Sequence, residues 1–170
     1  KIGNKKYIIN PPKRIHDLNM LPRPARHLVN MEGYFKIGAF HSAKSRSNRV
    51  LSVMCSRGCP EKCTFCTTPE MWGQNTRWRS TDHIMDEIIN DVRDYKIGEI
   101  QFEDDTLTVN KKNLFALCKE LEKLGIPWCT PNGTKVNYHL RQQLDMYKAM
   151  ASSGCYQITL ACESGSQRVL

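Results

Sequence analysis

Val50-Leu51-Ser52-Val53-Met54-Cys55-Ser56-Arg57-Gly58-Cys59-Pro60-Glu61-Lys62-Cys63-Thr64-Phe65-Cys66 is the stretch whose reading decides the fold. Val50 to Met54 is a short apolar run, which predicts a buried strand. It gives way at once to a loop punctuated by Gly58 and Pro60. Four thiols lie within that loop, at positions 55, 59, 63 and 66. No secretory pattern opens the sequence and no apolar run approaches a membrane span. A cytoplasmic, reducing setting is therefore the expectation, and clustered cysteines there read as metal-binding or catalytic.

Downstream, Ser80 or Thr81 caps a helix on which Ile84, Met85, Ile88, Ile89 and Val92 recur at helical spacing. Glu99 to Glu103 reads as the second strand. Lys111 to Leu124 is a second helix, with Leu114, Leu117, Cys118, Leu121 and Leu124 on its buried face. Gly125 suits its C-cap, and Pro127 prevents its continuation. A short third strand near Trp128 follows. A third helix is expected from about Leu140, with Leu144, Tyr147 and Ala151 in line, ending at Gly154. Tyr156 to Cys162 is the fourth strand, and Ser164-Gly165-Ser166 opens a fourth helix.

This alternation predicts an α/β fold with a parallel sheet built from right-handed crossovers. A barrel and an open doubly wound sheet both fit, and both bind ligands at the C-terminal strand ends. The cysteine loop, Glu103-Asp104-Asp105, the Asn132 loop and Glu163 all fall at those ends. Strand alternation puts Ile100 and Phe102 on one face and Glu99, Gln101 and Glu103 on the other. In the fourth strand it sets Tyr156, Ile158, Leu160 and Cys162 against Gln157, Thr159, Ala161 and Glu163. The polar sets would line a barrel lumen, with Glu103 and Glu163 pointing inward together.

Residues 1–49 read as a separate basic, Pro-rich lead-in. They hold eleven Lys or Arg against Asp17 and Glu32, leaving fourteen basic and fifteen acidic residues in 50–170. The prolines and the lack of a helical basic stripe argue against nucleic acid and for a solvated linker or docking strap. His16, His27 and His41 read as solvated parts of it.

Thiolates on a tight loop suit zinc or an iron–sulfur cluster. Zinc sites pair two short hooks, and no second CxxC follows here. Three cysteines spaced x3 and x2 fit three corners of a cubane and leave one iron open. The competing reading is a ferredoxin-like site with Cys55 as fourth ligand. Arg57 supports a sulfur or is a loop charge; both readings stand. Cys118, Cys129, Cys155 and Cys162 read as core.

The string CPEKCTFC, directly after the first strand, resembles the CxxxCxxC signature of the radical S-adenosylmethionine (SAM) superfamily. The resemblance implies a 4Fe-4S cluster on Cys59, Cys63 and Cys66, with SAM chelated to the open iron and cleaved reductively to a 5′-deoxyadenosyl radical. It also implies a partial (β/α)6 TIM-like barrel, of which 50–170 would be the N-terminal part, truncated after the fourth strand. FEDDTLT (102–108), PNGTKVN (131–137) and ACESGSQRVL (161–170) resemble the superfamily's segments after strands two, three and four, with Leu107 where many relatives have Phe. Glu103, Asp104, Asp105, Asn132, Glu163 and Ser164 are thereby implied in the SAM site, and Phe65 beside the adenine. The bland alternative for the carboxylates is solvated strand-end charge.

SRGCPEKCTFC and DLNMLPRPARHLV (17–29) most resemble the cobalamin-binding branch. That resemblance implies a cobalamin domain upstream of Lys1, methylation or cyclisation of a small-molecule or biosynthetic-intermediate substrate, and an external donor of flavodoxin or ferredoxin type. A methylthiotransferase and a non-catalytic zinc or iron–sulfur module are the alternatives.

Overall fold

The computed structural model describes residues 13–135 and 143–169. After two 3-10 turns, the elements in chain order are α1 (Met31–Ile37), β1 (Val50–Val53), β2 (Ser56–Arg57), α2 (Thr68–Trp72), β3 (Arg77–Trp78), α3 (Thr81–Tyr95), β4 (Glu99–Phe102), α4 (Lys111–Leu124), β5 (Trp128–Thr134), α5 (Gln143–Ser152) and β6 (Cys155–Leu160). Four strands form one parallel sheet in the order β1-β4-β5-β6, each neighbour reached by a crossover, as alternating strands and helices require. The short β2 and β3 pair antiparallel beside it.

Local chemistry sets the long helices. The Ser80 side chain accepts from the backbone N–H of His83 and starts α3. Asn110 does the same for α4 through Asn113, and Gly125 ends that helix at a φ of 67°. Ile84, Ile88, Leu114, Leu117 and Leu121 meet Leu51, Val53, Ile100 and Phe102 in one core. Trp128 closes it edge-on to Phe102, with ring centroids 5.2 Å apart.

Four expectations change. First, β5 is seven residues long and takes in Asn132 and Gly133, which therefore lie within a strand rather than a loop. Thr130 pairs with Ile158 and Gly133 with Thr159, so Pro131 and Asn132 bulge out together. Proline has no N–H for the ladder, and a bulge accommodates it. Second, α5 buries Met146 and Met150 and leaves Leu144 65% exposed. Leu140 lies outside the described residues. Two methionines four residues apart reach the core where Leu144, on another face, does not.

Third, the register of β6 shifts between Trp128–Cys155 and Cys129–Gln157, so Tyr156 is bulged. Its hydroxyl lies 2.8 Å from Glu99 Oε1, and it therefore turns to the inner polar face. A bulge breaks the period of two on which the face assignment rested. Fourth, residues 161–169 form no helix, only a turn closed by Val169 N–H on Ser166 O.

The lead-in is docked. Leu18 and Phe35 are buried, the latter on α1. Arg26 reaches Glu87 and Asp91 of α3 at 3.0 and 2.6 Å and donates to the Ser52 carbonyl. Arg79 donates to the Met54 carbonyl and pairs with Glu87. β1 is a sheet edge, and these guanidiniums satisfy its outward carbonyls. Residues 42–47 lie against the inner face of β4. There Ser42 N–H donates to Gln101, while Ser45 Oγ, Arg46 N–H and Ser47 N–H all donate to Glu99. Glu99 is fully buried. Burial pushes its pKa up, but the bonds from Gln101, Ser45, Arg46 and Tyr156 pull it below the ordinary value.

Candidate functional site

The cysteine loop leaves the C-terminal end of β1 and is held by the segment that leaves β4. Asp104 is fully buried. One carboxylate oxygen accepts from Cys55 N–H at 3.0 Å; the other accepts from Ser56 N–H and Ser56 Oγ, both at 2.5 Å. Burial pushes the Asp104 pKa up to about 6 against the pull of those bonds. Asp105 grips the loop further on, accepting from Gly58 N–H and, at 3.4 Å, from Thr68 Oγ1; burial raises its pKa as well. Asn132 on β5 donates from Nδ2 to the Asp104 carbonyl at 3.0 Å. Lys135, just past β5, reaches Glu61 on the loop at 2.7 Å.

Gly58 is dictated by space as well as by backbone. Its φ is +100°, and a Cβ there would come within 2.7 Å of the Asn75 carbonyl oxygen. The turn at 73–76 thus packs directly on the residue before Cys59. Thr76 Oγ1 adds a bond to the Gly58 carbonyl.

The thiols differ in access. Cys55 is fully buried in the apolar core, and that burial, with Asp104 beside it, raises its pKa well above the ordinary thiol value. Cys59 is half-buried, with Sγ 3.7 Å from Thr106 Oγ1; Cys63 and Cys66 are exposed. The backbone N–H of Cys66 closes a turn on Cys63 O. Among the described residues no three His, Cys, Asp or Glu groups gather tightly enough to hold a single metal ion. The loop offers one half-buried and two exposed thiols and withholds the fourth. That donor set fits a cubane with one open iron better than one with Cys55 as a ligand.

The other expected site residues sit as follows. Asp104 takes a different part from cofactor contact: its carboxylate faces inward and clamps the loop. Asp105 supports the same loop, and Asn132 holds the Asp104 backbone. Phe65 stands out on the loop, 72% exposed. Glu103 is half-buried at the end of β4, its Oε2 2.6 Å from His41 Nδ1 of the lead-in. Glu163 is exposed and left-handed at a φ of 53°. Ser164 Oγ accepts from Ser166 N–H. No hydrogen bond among the described residues joins Glu163 or Ser164 to the cysteine loop. Arg57 stacks on the Trp72 ring at 4.8 Å. Cys162 is exposed rather than in the core, because it lies past the end of β6. His41, expected to be solvated, instead meets Glu103, and Thr68 and Thr106 join Asp105 and Cys59 without having been expected there. Thr106 lies inside the FEDDTLT string, whereas nothing in the sequence around His41 or Thr68 points to these partners.

Residues 53–170 match the radical SAM superfamily. The chain is 41% identical over 154 residues to cytidylyl-2-hydroxyethylphosphonate methyltransferase of Streptomyces wedmorensis, covering 91% of this chain and 28% of that protein. It is 25% identical to bacteriochlorophyllide d C-12(1)-methyltransferase of Chlorobaculum tepidum, over 87% of this chain and 32% of the relative. The anaerobic magnesium-protoporphyrin IX monomethyl ester cyclase of Cereibacter sphaeroides is 28% identical over 70% of this chain and 19% of its own length. The chain thus spans about a third or less of these relatives. In fold it is similar to the radical SAM methyltransferase TsrM of Kitasatospora setae, at a TM-score of 0.62 and 14% identity, covering 71% of this chain and 23% of that one. No helix among the described residues is long and apolar enough to cross a membrane.

Proposed function

The chain belongs to the radical SAM superfamily, and from that premise we propose that it is the cluster-bearing part of a cobalamin-linked SAM methyltransferase. Cys59, Cys63 and Cys66 would hold the 4Fe-4S cluster. When bound, such a cluster supplies the electron that cleaves a carbon–sulfur bond of SAM chelated to its open iron. The chain's own residues have positioning work: Asp104 and Asp105 fix both ends of the loop stem, and Thr106 sets a hydroxyl beside Cys59.

Glu103, Glu163, Ser164 and Asn132 would meet the amino and ribose groups of SAM, with Phe65 beside the adenine. The lead-in, residues 1–49, would connect residues 50–170 to a cobalamin-binding domain upstream. The substrate would be a small molecule or biosynthetic intermediate, the setting cytoplasmic, and the electron donor of flavodoxin or ferredoxin type. Methylation is favoured over cyclisation by the 41% identity to a methyltransferase.

The observation that carries this reading is the selective access of three thiols in CxxxCxxC while Cys55 stays in the core. The experiment uses full-length protein, purified anaerobically with cobalamin available. It should show a corrinoid spectrum, four irons per chain, and turnover of SAM to S-adenosylhomocysteine or 5′-deoxyadenosine under reduction. Protein with neither an iron–sulfur spectrum nor SAM turnover would overturn it; a cluster without any corrinoid would remove cobalamin alone.

A further inference from the structure

The turn that packs on Gly58 has an outer face, and that face is basic. Arg14, His16, Trp72, Asn75 and Arg77 line a pocket of about 130 Å³ there. Arg57, two residues before Cys59, lies over the Trp72 ring. The three guanidiniums satisfy their donors mainly on neutral carbonyls and the aromatic face: Arg14 donates to Glu70 O, and Arg77 to Ile15 O and Trp72 O. None of them has a carboxylate within ion-pair distance among the described residues. Asp17, the nearest acid in the lead-in sequence, accepts from Asn19 instead. Partial burial, and after it the charges of Arg57 and Arg14, lower the Arg77 pKa. Lys13, beside Arg14 in the sequence, is exposed and adds to the same sign.

Mutually repelling arginines held together without a counter-charge cost stability unless an anionic surface meets them. Their position narrows what that surface is. Only one backbone layer, residues 73–76, separates this pocket from Gly58 and the cysteine that follows it. A half-buried Trp72 sits in the middle, as at protein interfaces rich in aromatic and Arg anchors. Nucleic acid is less well served, since the pocket offers only the Trp72 and His16 rings for stacking and residues 50–170 are near neutral.

We propose that the Arg14–Arg57–Arg77 face is the docking surface for a small acidic electron-transfer protein that reduces the cluster. This rests on the reading of Cys59, Cys63 and Cys66 as cluster ligands. In the step itself the reduced donor loses one electron and the cluster gains it; no bond is made or broken.

The test follows bleaching of the cluster absorbance by stopped flow in full-length holoprotein, with reduced flavodoxin as donor. The wild-type rate should fall steeply as salt shortens the screening length from about 30 Å to about 8 Å. Lys13→Glu/Arg14→Glu should slow reduction by about tenfold or more at low salt. The milder Arg14→Gln should slow it by less, with its cluster content unchanged. Methyl viologen radical cation should reduce all three proteins equally well, or the reversed-charge variant faster. A reducible cluster whose reduction by flavodoxin ignores both salt and these substitutions would overturn the inference alone. So would a labelled single-stranded RNA that binds wild type but not the double variant while the flavodoxin rates stay equal. A wild-type protein with no cluster reducible by methyl viologen would take down the functional reading with it.

Discussion

Asp104→Asn keeps the shape of a fully buried side chain and removes its charge. Two opposing magnitudes follow. In the wild type the carboxyl pKa is raised from 3.8 to about 6, so at pH 7 the ionised group costs roughly 3 kcal/mol relative to an unshifted one. The amide escapes that cost. However, Asp104 accepts from Cys55 N–H on one oxygen and from Ser56 on the other, and an amide can present an oxygen to only one of them. The amide nitrogen then faces a backbone N–H, at a cost of about 1–3 kcal/mol. At pH 7 the two effects nearly cancel, and overall stability is expected to change by no more than about 2 kcal/mol. The pH dependence does not cancel. Between the unfolded value of 3.8 and the folded value of about 6 the folded chain holds more protons than the unfolded one. Wild type therefore gains stability as pH falls through this window and loses it as pH rises. From pH 7 to pH 5 the gain from this group is about 1 kcal/mol, and Asp104→Asn lacks it. Urea unfolding of full-length cluster-free protein at both pH values, followed by circular dichroism, reads the difference from the shift in midpoint. Identical pH slopes in the two proteins would refute the assignment of a buried, ionised clamp to Asp104.

Changes elsewhere separate ligands from supports. Cys59→Ala, Cys63→Ala and Cys66→Ala should each abolish the reconstituted cluster, read as iron and sulfide content. Cys55→Ala should retain it and lose only about 1 kcal/mol of core packing; loss of iron in Cys55→Ala with retention in Cys59→Ala would reverse the ligand assignment. Glu163→Ala in cluster-loaded full-length protein should weaken SAM binding by about tenfold with iron content unchanged, measured by calorimetry; an unaltered affinity would leave Glu163 as a solvated strand-end charge.

Much of the architecture was legible in local pattern. The strand at Val50, the cap at Ser80 and the whole of Lys111–Leu124 with its Gly125 stop depend on residues within a few positions of one another. Capping bonds and helical periodicity are themselves short-range, so sequence spacing carries them. The cysteine spacing belongs to the same class, and it points to the candidate ligands by itself.

Where a chain must choose among distant partners, spacing had nothing to offer. Asp104 and Asp105 are neighbours of the same type, yet one is fully buried on Cys55 and Ser56, 49 and 48 residues away, and the other remains half-buried on Gly58 and Thr68. The polar face of β4 was correct as a pattern, but its occupant is the lead-in backbone at 42–47, which satisfies Glu99 and Gln101. Tyr156 changed sides through a single bulge, and Pro131 with Asn132 lie in a two-residue bulge within a strand rather than in a loop, because register is settled by the facing strand and not by the strand's own alternation. Sequence alone thus determined which residues could form the elements and carry the thiols. Tertiary structure alone decided which carboxylate clamps, which thiol is withheld and where the uncompensated arginines gather. A buried polar group is stable only beside the donors that satisfy it, and the fold brings those donors from far along the chain.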